Sequence, residues 1–246
     1  MNGNVRTRPQ KTAVLIARKI VDSIRRTGYT VGDRLPPERL MLEEYQVGRG
    51  TLRESLRFLE LQGIISLKPG PGGGPMVERP DASNLATTLV LLLQFHNTPF
   101  RSIVEARTGL EPMMARLAAA RMSDDDLRRL GASVDTMREH IDDREAFLET
   151  NKAFHDIIAR ASGNALFGFL IDALLGIVDG TAAGIEYPPH RRTAVLAAHT
   201  QILEALSAHD GDASAAAMHA HVEEYLRYVT KKFPEVMAQP VTWDLL

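Results

Sequence analysis

The chain contains no cysteine, which excludes disulfide staples and thiolate zinc sites and fits a reducing cytosol. Long apolar runs are also missing. The most apolar stretch, Leu89–Phe95 (LVLLLQF), falls far short of the roughly 20 residues that cross a bilayer, and the N-terminus lacks the basic-then-apolar pattern of a secretory signal. A soluble, cytoplasmic protein without a membrane partner is expected. There is no H-E-x-x-H motif, no internal repeat and no low-complexity tract beyond the alanines at 215–217, which speaks against a zincin-type hydrolase and a solenoid. What remains is an ordinary globular composition, 44% apolar and 24% charged over 246 residues, enough for one large domain or two of common size.

The net charge of −2 hides an asymmetry. Residues 1–80 carry 14 Lys+Arg against 8 Asp+Glu, and the remainder 15 against 23. A basic first third joined to an acidic remainder suits one part that binds a polyanion and another that does not, although ordinary scatter of surface charge reads the same way.

Arg34 to Val77 is the most informative stretch (RLPPERLMLEEYQVGRGTLRESLRFLELQGIISLKPGPGGGPMV). It predicts two short helices joined by a turn at Gln46–Gly48, then two strands, Ile64–Leu67 and Pro75–Val77, around a glycine-rich loop that cannot be helical. In the second helix, Leu52, Leu56 and Leu59 recur at helical spacing, while Arg49, Thr51, Arg53 and Arg57 point elsewhere. Such a helix suits a DNA major groove, where arginine can grip guanine through two parallel hydrogen bonds and a threonine hydroxyl can anchor a phosphate.

LPPER, VGRGTLRESLRFLELQGII and KPGPGGG together resemble the winged helix-turn-helix of GntR-type bacterial transcription regulators, without a gap from about Val14 to Val77. The resemblance implies that Arg39, Arg49 and Arg53 read the operator, that Thr51 contacts a phosphate or base, and that the wing tip from Lys68 to Gly72, Lys68 and Gly70 included, approaches the minor groove.

Along the chain, residues 1–10 read as a mobile arm bearing Arg6 and Arg8. A support helix runs from Lys11 to a glycine C-cap at Thr27–Gly28, and Asp33–Leu35 predicts a short strand before Pro36–Pro37 opens the next helix. The expected domains are 1–78 for DNA binding, a linker at 79–84, a helical unit over 85–232 and a tail over 233–246. Beyond Leu85 the periodicity is only helical, with helices near 84–96, 99–121, 123–143, 145–162, 164–183, 191–209 and 211–232. Ser123, Asn164 and Asp212 are candidate caps. About seven helices with short loops make an antiparallel all-α bundle, so the fold class is mostly α. Trp243, the only tryptophan, lies in the tail, against either the bundle or a partner subunit.

Within the bundle, Asn151 and His155 stand four apart on one helical face beside Phe154 and Ile158. His199 flanks an apolar stripe, and His221 shares a face with Met218 and Tyr225. Three helices thus each bring one histidine toward apolar surface. A lone histidine there is usually a hydrogen-bonded core residue, but three imidazoles plus an oxygen can hold a divalent transition metal such as zinc or nickel. The phrases NKAFHDIIARASGN, AAHTQILEAL and AAAMHAH resemble the FCD, or FadR-like, effector domain, where D-x3-H and two later histidines converge on a metal. Asn151 stands where that pattern has aspartate. Its amide oxygen can ligate but supplies no charge, so binding is expected to be weaker, more selective, dependent on an anionic effector, or lost. The other histidines read as surface or structural.

Arg107, in VEARTGLEP, falls mid-helix among apolar neighbours and needs an anion. A salt bridge to Glu105 or Glu111 would supply one; the resemblance instead implies that Arg107 lines the effector cavity and pairs with a carboxylate. The expected whole is a homodimeric regulator, a repressor in the commoner family outcome, that grips a pseudo-palindromic double-stranded operator at the nucleoid and responds to a small carboxylate metabolite. The alternatives are a metal-dependent enzyme of the helical domain and a constitutive DNA-binding dimer with a vestigial pocket.

Overall fold

The computed structural model describes residues 9–70, 73–178 and 184–245; residues 1–8 of the expected arm therefore lie outside the described residues, as do two positions of the wing tip and 179–183, while Pro9 and Gln10, expected in the arm, already belong to the first helix. The chain is mostly helical and divides into two compact units, up to Asn84 and from Leu85. Among the described residues no helix is long and apolar enough to cross a membrane.

The first unit is built on α1 (Pro9–Thr27), α2 (Glu38–Tyr45) and α3 (Arg49–Leu61), followed by β1 (Ile65–Lys68) and β2 (Gly74–Val77). Its core joins Ile16, Ala17, Ile20 and Ile24 of α1 to Leu52, Leu56 and Leu59 of α3, with Leu35, Met41, Ile65 and Val77 closing the ends. Each of the three α3 leucines is at most 1% exposed, a burial worth about 1.5–3 kcal/mol apiece. The Ser55 hydroxyl donates across the interface to Ala13 O at 2.8 Å, which fixes the rotation of α3 about its own axis. Gly28 (φ 77°) ends α1, with Gly28 and Tyr29 N–H both donating to Ile24 O. The strands pair antiparallel, Ile65 with Val77 through Lys68 with Gly74. The strand expected at Asp33–Leu35 is reduced to one bridge between Arg34 and Met76; Pro36 and Pro37 follow at once, and proline cannot donate to extend a ladder.

The second unit carries α4 (Ser83–Phe95), α5 (Arg101–Arg121), α6 (Asp124–Glu139), α7 (Arg144–Ala161), α8 (Ala165–Val178), α9 (Pro189–Ser207), α10 (Gly211–Lys232) and α11 (Pro234–Ala238). α5 is its axis, packed against α7, α8, α9 and α10. Ser123 and Asp126 form a reciprocal capping box at the start of α6. α6 stops before the expected position 143, because Asp143 turns to cap α7 by accepting from Glu145 and Ala146 N–H at 2.9 and 3.2 Å. Asn164 accepts from Leu166 N–H at 3.1 Å at the start of α8. At α10 the cap is Asp210, not Asp212: Asp210 accepts from Ala213 N–H at 2.9 Å, while Asp212, one residue inside the helix, pairs with Arg116 at 2.8 Å. The tail packs on its own chain. Phe100 N–H donates to Gln239 O and Val241 N–H to Thr98 O, both at 2.9 Å, Met237 and Val241 are buried, and Trp243 stays half exposed.

Candidate functional site

In the first unit, α3 begins at Arg49 behind Gly48, whose lack of a side chain leaves the first turn uncapped, and no acidic residue occupies that turn. Its unpaired N–H groups carry the positive end of the helix dipole. Arg49, Arg53 and Arg57 are exposed along the helix, with Thr51 half-buried. Arg53 lies 3.5 Å from Glu38 and Arg39 lies 2.8 Å from Glu43. Exposed pairs of this kind contribute about 0–1 kcal/mol, so a phosphate or guanine can displace them. In the wing, Lys68 is exposed and Gly70 adopts φ 95°. Gly73 N–H donates to Gly70 O at 2.9 Å, and a Cβ at Gly73 would meet Lys68 O at 2.2 Å, so only glycine fits that turn. The Arg39, Arg49, Thr51 and Arg53 side chains belong to α2 and the N-terminal half of α3, while Lys68 and Gly70 belong to the wing.

In the second unit, the fold brings His155 of α7, His199 of α9 and His221 of α10 together: all three are buried, and their candidate ligand atoms lie within 4.8 Å of one another. His221 Nε2 is 3.3 Å from His155 Nε2. At that distance two imidazoles either share a proton or converge on a cation. His199 is stacked on Phe154, ring centroids 3.8 Å apart and planes within 7°, and neither of its ring nitrogens has a hydrogen-bond partner among the described residues. Burial first, and then the other histidines, push the His199 imidazole well below its ordinary range; burial and His155 do the same to His221. Both rings are therefore neutral near pH 7, with lone pairs available to a metal.

The cluster has an acidic neighbour that sequence reasoning treated only as a salt-bridge alternative. Glu111 of α5 lies 2.5 Å from His155 Nδ1 and also pairs with Arg107 one turn earlier. The carboxylate oxygen and Nδ1 are in contact without the alignment of a hydrogen bond; a carboxylate beside Nδ1 favours the ring proton on that nitrogen and leaves Nε2 as the atom to ligate. Burial alone would raise the Glu111 carboxyl, but the Arg107 charge, with His155 beside it, outweighs burial and holds it well below the usual carboxylate range. Arg107 is 5% exposed; its Nη2 lies 3.5 Å from His155 Nε2, and its guanidinium carbon is 5.8 Å from the Tyr225 ring centre. Arg107 thus faces the cluster with its charge already balanced by Glu111. Asn151, half-buried, stands one turn before His155.

The donor set fits a divalent transition metal on three counts: three imidazoles from three helices, an orphaned buried pair of nitrogens at His199, and a carboxylate orienting His155 from behind. Leaving buried polar atoms unsatisfied costs about 1–3 kcal/mol per group, so such a constellation is expensive unless something fills it. Other histidines have structural contacts: His209 with Ala119 O and His96 with Leu92 O, both at 2.8 Å.

Comparison with known families matches residues 12–73 to the bacterial regulatory proteins of the gntR family and residues 102–224 to the FCD domain. Among characterised proteins, the chain is 25% identical over 227 residues to the HTH-type transcriptional repressor NanR of Escherichia coli (strain K12), covering 89% of this chain and 86% of that one. It is likewise 25% identical over 219 residues to the NanR of Cronobacter sakazakii (strain ATCC BAA-894), covering 87% and 83%. Among solved structures, Streptococcus agalactiae GntR aligns with a TM-score of 0.73 at 25% identity, over 88% of this chain and 99% of that one.

Proposed function

From the premise that the chain belongs to the gntR family of bacterial regulatory proteins, with an FCD domain, and is a transcription regulator rather than an enzyme, we propose that it is a repressor whose operator binding is set by a small carboxylate held in the helical unit. Residues 1–78 would bind DNA, 79–84 link, 85–232 sense and dimerise, and 233–246 seal the bundle. A homodimer would place one α3 in each half of a pseudo-palindromic operator. Arg39, Arg49 and Arg53 would read the operator, Thr51 would contact a phosphate or a base, and Lys68 and Gly70 would approach the minor groove. The repressor sign is that of the NanR relatives.

In the helical unit His155, His199 and His221 would hold the metal, with Asn151 as an uncharged fourth oxygen donor. The bound cation would supply a Lewis-acidic point for an effector oxygen. Because Asn151 brings no charge, anionic ligands would have to supply it, which agrees with a carboxylate effector near Arg107. The effector shifts operator affinity only by its differential affinity for the two states of the dimer. The observation that carries this reading is the meeting of three buried imidazoles from three separate helices in a chain whose other unit exposes an arginine-lined helix.

The test is elemental analysis of the protein as purified, alongside operator binding measured by fluorescence anisotropy with and without chelator. One divalent transition metal per chain is expected, with His199→Ala losing most of it. Equal metal content in wild type and His199→Ala would sink the metal site; operator affinity indifferent to chelation and to a panel of small acids would sink the sensing role.

A further inference from the structure

Arg191 has no part in the reading above. It lies in the first turn of α9, 3% exposed. Its Nη1–H donates to Glu224 of α10, and its guanidinium carbon sits 4.5 Å from the centre of the Tyr228 ring. Its Nε and Nη2 are buried and have no hydrogen-bond partner among the described residues. These two atoms are not an arbitrary pair. They form the side of the planar guanidinium whose two N–H bonds run parallel, at the spacing of the two oxygens of a carboxylate.

The neighbouring cations are occupied differently. Arg192 spends Nε and Nη1 on Tyr187 O and Ile141 O, at 2.9 and 2.7 Å, and Arg107 gives its Nε to Glu111. Both side-chain contacts of Arg191, with Glu224 and with Tyr228, tie the start of α9 to α10. The segment leading into α9 is tied to the same place: Pro188 O accepts from Arg191 N–H at 2.8 Å, and Glu186 O accepts from the Tyr228 hydroxyl at 2.9 Å. With Arg144, residues 184–188 line a cleft of about 440 Å³.

We propose that the Nε–H and Nη2–H edge of Arg191 is a carboxylate-binding point of the helical unit, taking one acidic group of a small acid side-on. Glu224 fixes the opposite end of the guanidinium, and the Tyr228 ring supports its face, so the fork is held in one orientation before the acid arrives. From the proposed sensing role this takes only the ligand class, a small carboxylate. It adds the residue that would grip the acid, since Arg107 already has a carboxylate of its own.

The test follows the arginine Nε–H resonances of the full-length protein by two-dimensional NMR, with the Arg191 peak identified by its loss in Arg191→Lys and its shift in Glu224→Gln. Sodium acetate is titrated against sodium chloride at equal ionic strength. A saturable acetate shift at this peak, absent with chloride, and at least a tenfold weaker acetate affinity in Arg191→Lys, read in both proteins from the backbone amide of Arg192, support the clamp. Should Arg191→Lys fail to fold, Glu224→Gln keeps the edge and is expected to retain the acetate shift. A peak that exchanges with water and ignores acetate overturns the proposal, leaving only an ordered water there. An acetate shift without any effect of acids on operator binding supports the clamp and sinks the sensing role. Operator release by an acid that leaves this peak unmoved sinks the clamp alone.

Discussion

Replacing Glu111 by glutamine keeps shape and removes one charge, and its consequences can be worked out. Glu111 is 2% exposed, Arg107 5%, and the carboxylate serves both Arg107 and His155. In Glu111→Gln the guanidinium stays charged at any accessible pH and has lost its counter-ion inside the bundle. Breaking one partner of a buried pair costs about 3–5 kcal/mol. A unit of 150–250 residues loses about 2–4 °C of Tm per kcal/mol, so the helical unit should melt lower by about 6–20 °C. The double variant Arg107→Met/Glu111→Gln removes both charges and should recover most of that loss, because an uncharged, packed replacement of a buried pair is often neutral. Metal affinity should behave otherwise. His155 loses the carboxylate that orients it in both variants, so affinity should fall about 10–100-fold in each and should not return with stability. Calorimetry and competition with a chromogenic chelator read the two quantities separately. A Glu111→Gln loss under about 1 kcal/mol, the value of an exposed pair, or a double variant no more stable than the single, would refute the charge-balance reasoning. Metal affinity that recovers with stability would show that Glu111 does not position His155.

Two further outcomes test other parts of the molecule. Arg49→Ala should cost operator affinity about 1–3 kcal/mol if its contact is a bidentate base pairing, with circular dichroism and mass in solution unchanged; an intact footprint at the operator would count against α3 as the reading helix. Ser123→Ala should destabilise the helical unit by about 0.5–2 kcal/mol. Hydrogen bonds from the Ser123 side chain and backbone hold the Asp126 carboxyl below its ordinary value, so their contribution is fully present above the unfolded carboxylate range and is lost as pH falls through the folded value. The gap between wild type and Ser123→Ala should therefore narrow in acid, and a gap independent of pH would argue that Asp126 does not close the capping box.

Most of the helices were legible because their signals are local. The leucine spacing of α3, the glycine after α1 and the serine before three aspartates each act within a turn of themselves. Boundaries failed where two neighbours compete for one segment: α6 yields its last expected turn because Asp143 is already used as the cap of α7, and Asp210 takes the cap expected of Asp212. The strand expected at Asp33–Leu35 shrank to a single bridge because two prolines follow it.

The sequence by itself determined the two-part organisation, the arginines of α3 and the candidacy of three histidines, since periodicity says which face of a helix a residue occupies. It could say that each histidine faces inward, but not that all three face the same interior point; that depends on how α7, α9 and α10 cross. Only the tertiary structure decided that Glu111 stands behind His155, that Phe154 covers His199, and that Arg191 meets Glu224 and Tyr228 on α10. Each of these contacts joins separate helices, and side chains that touch across a bundle leave no spacing along the chain by which to find them.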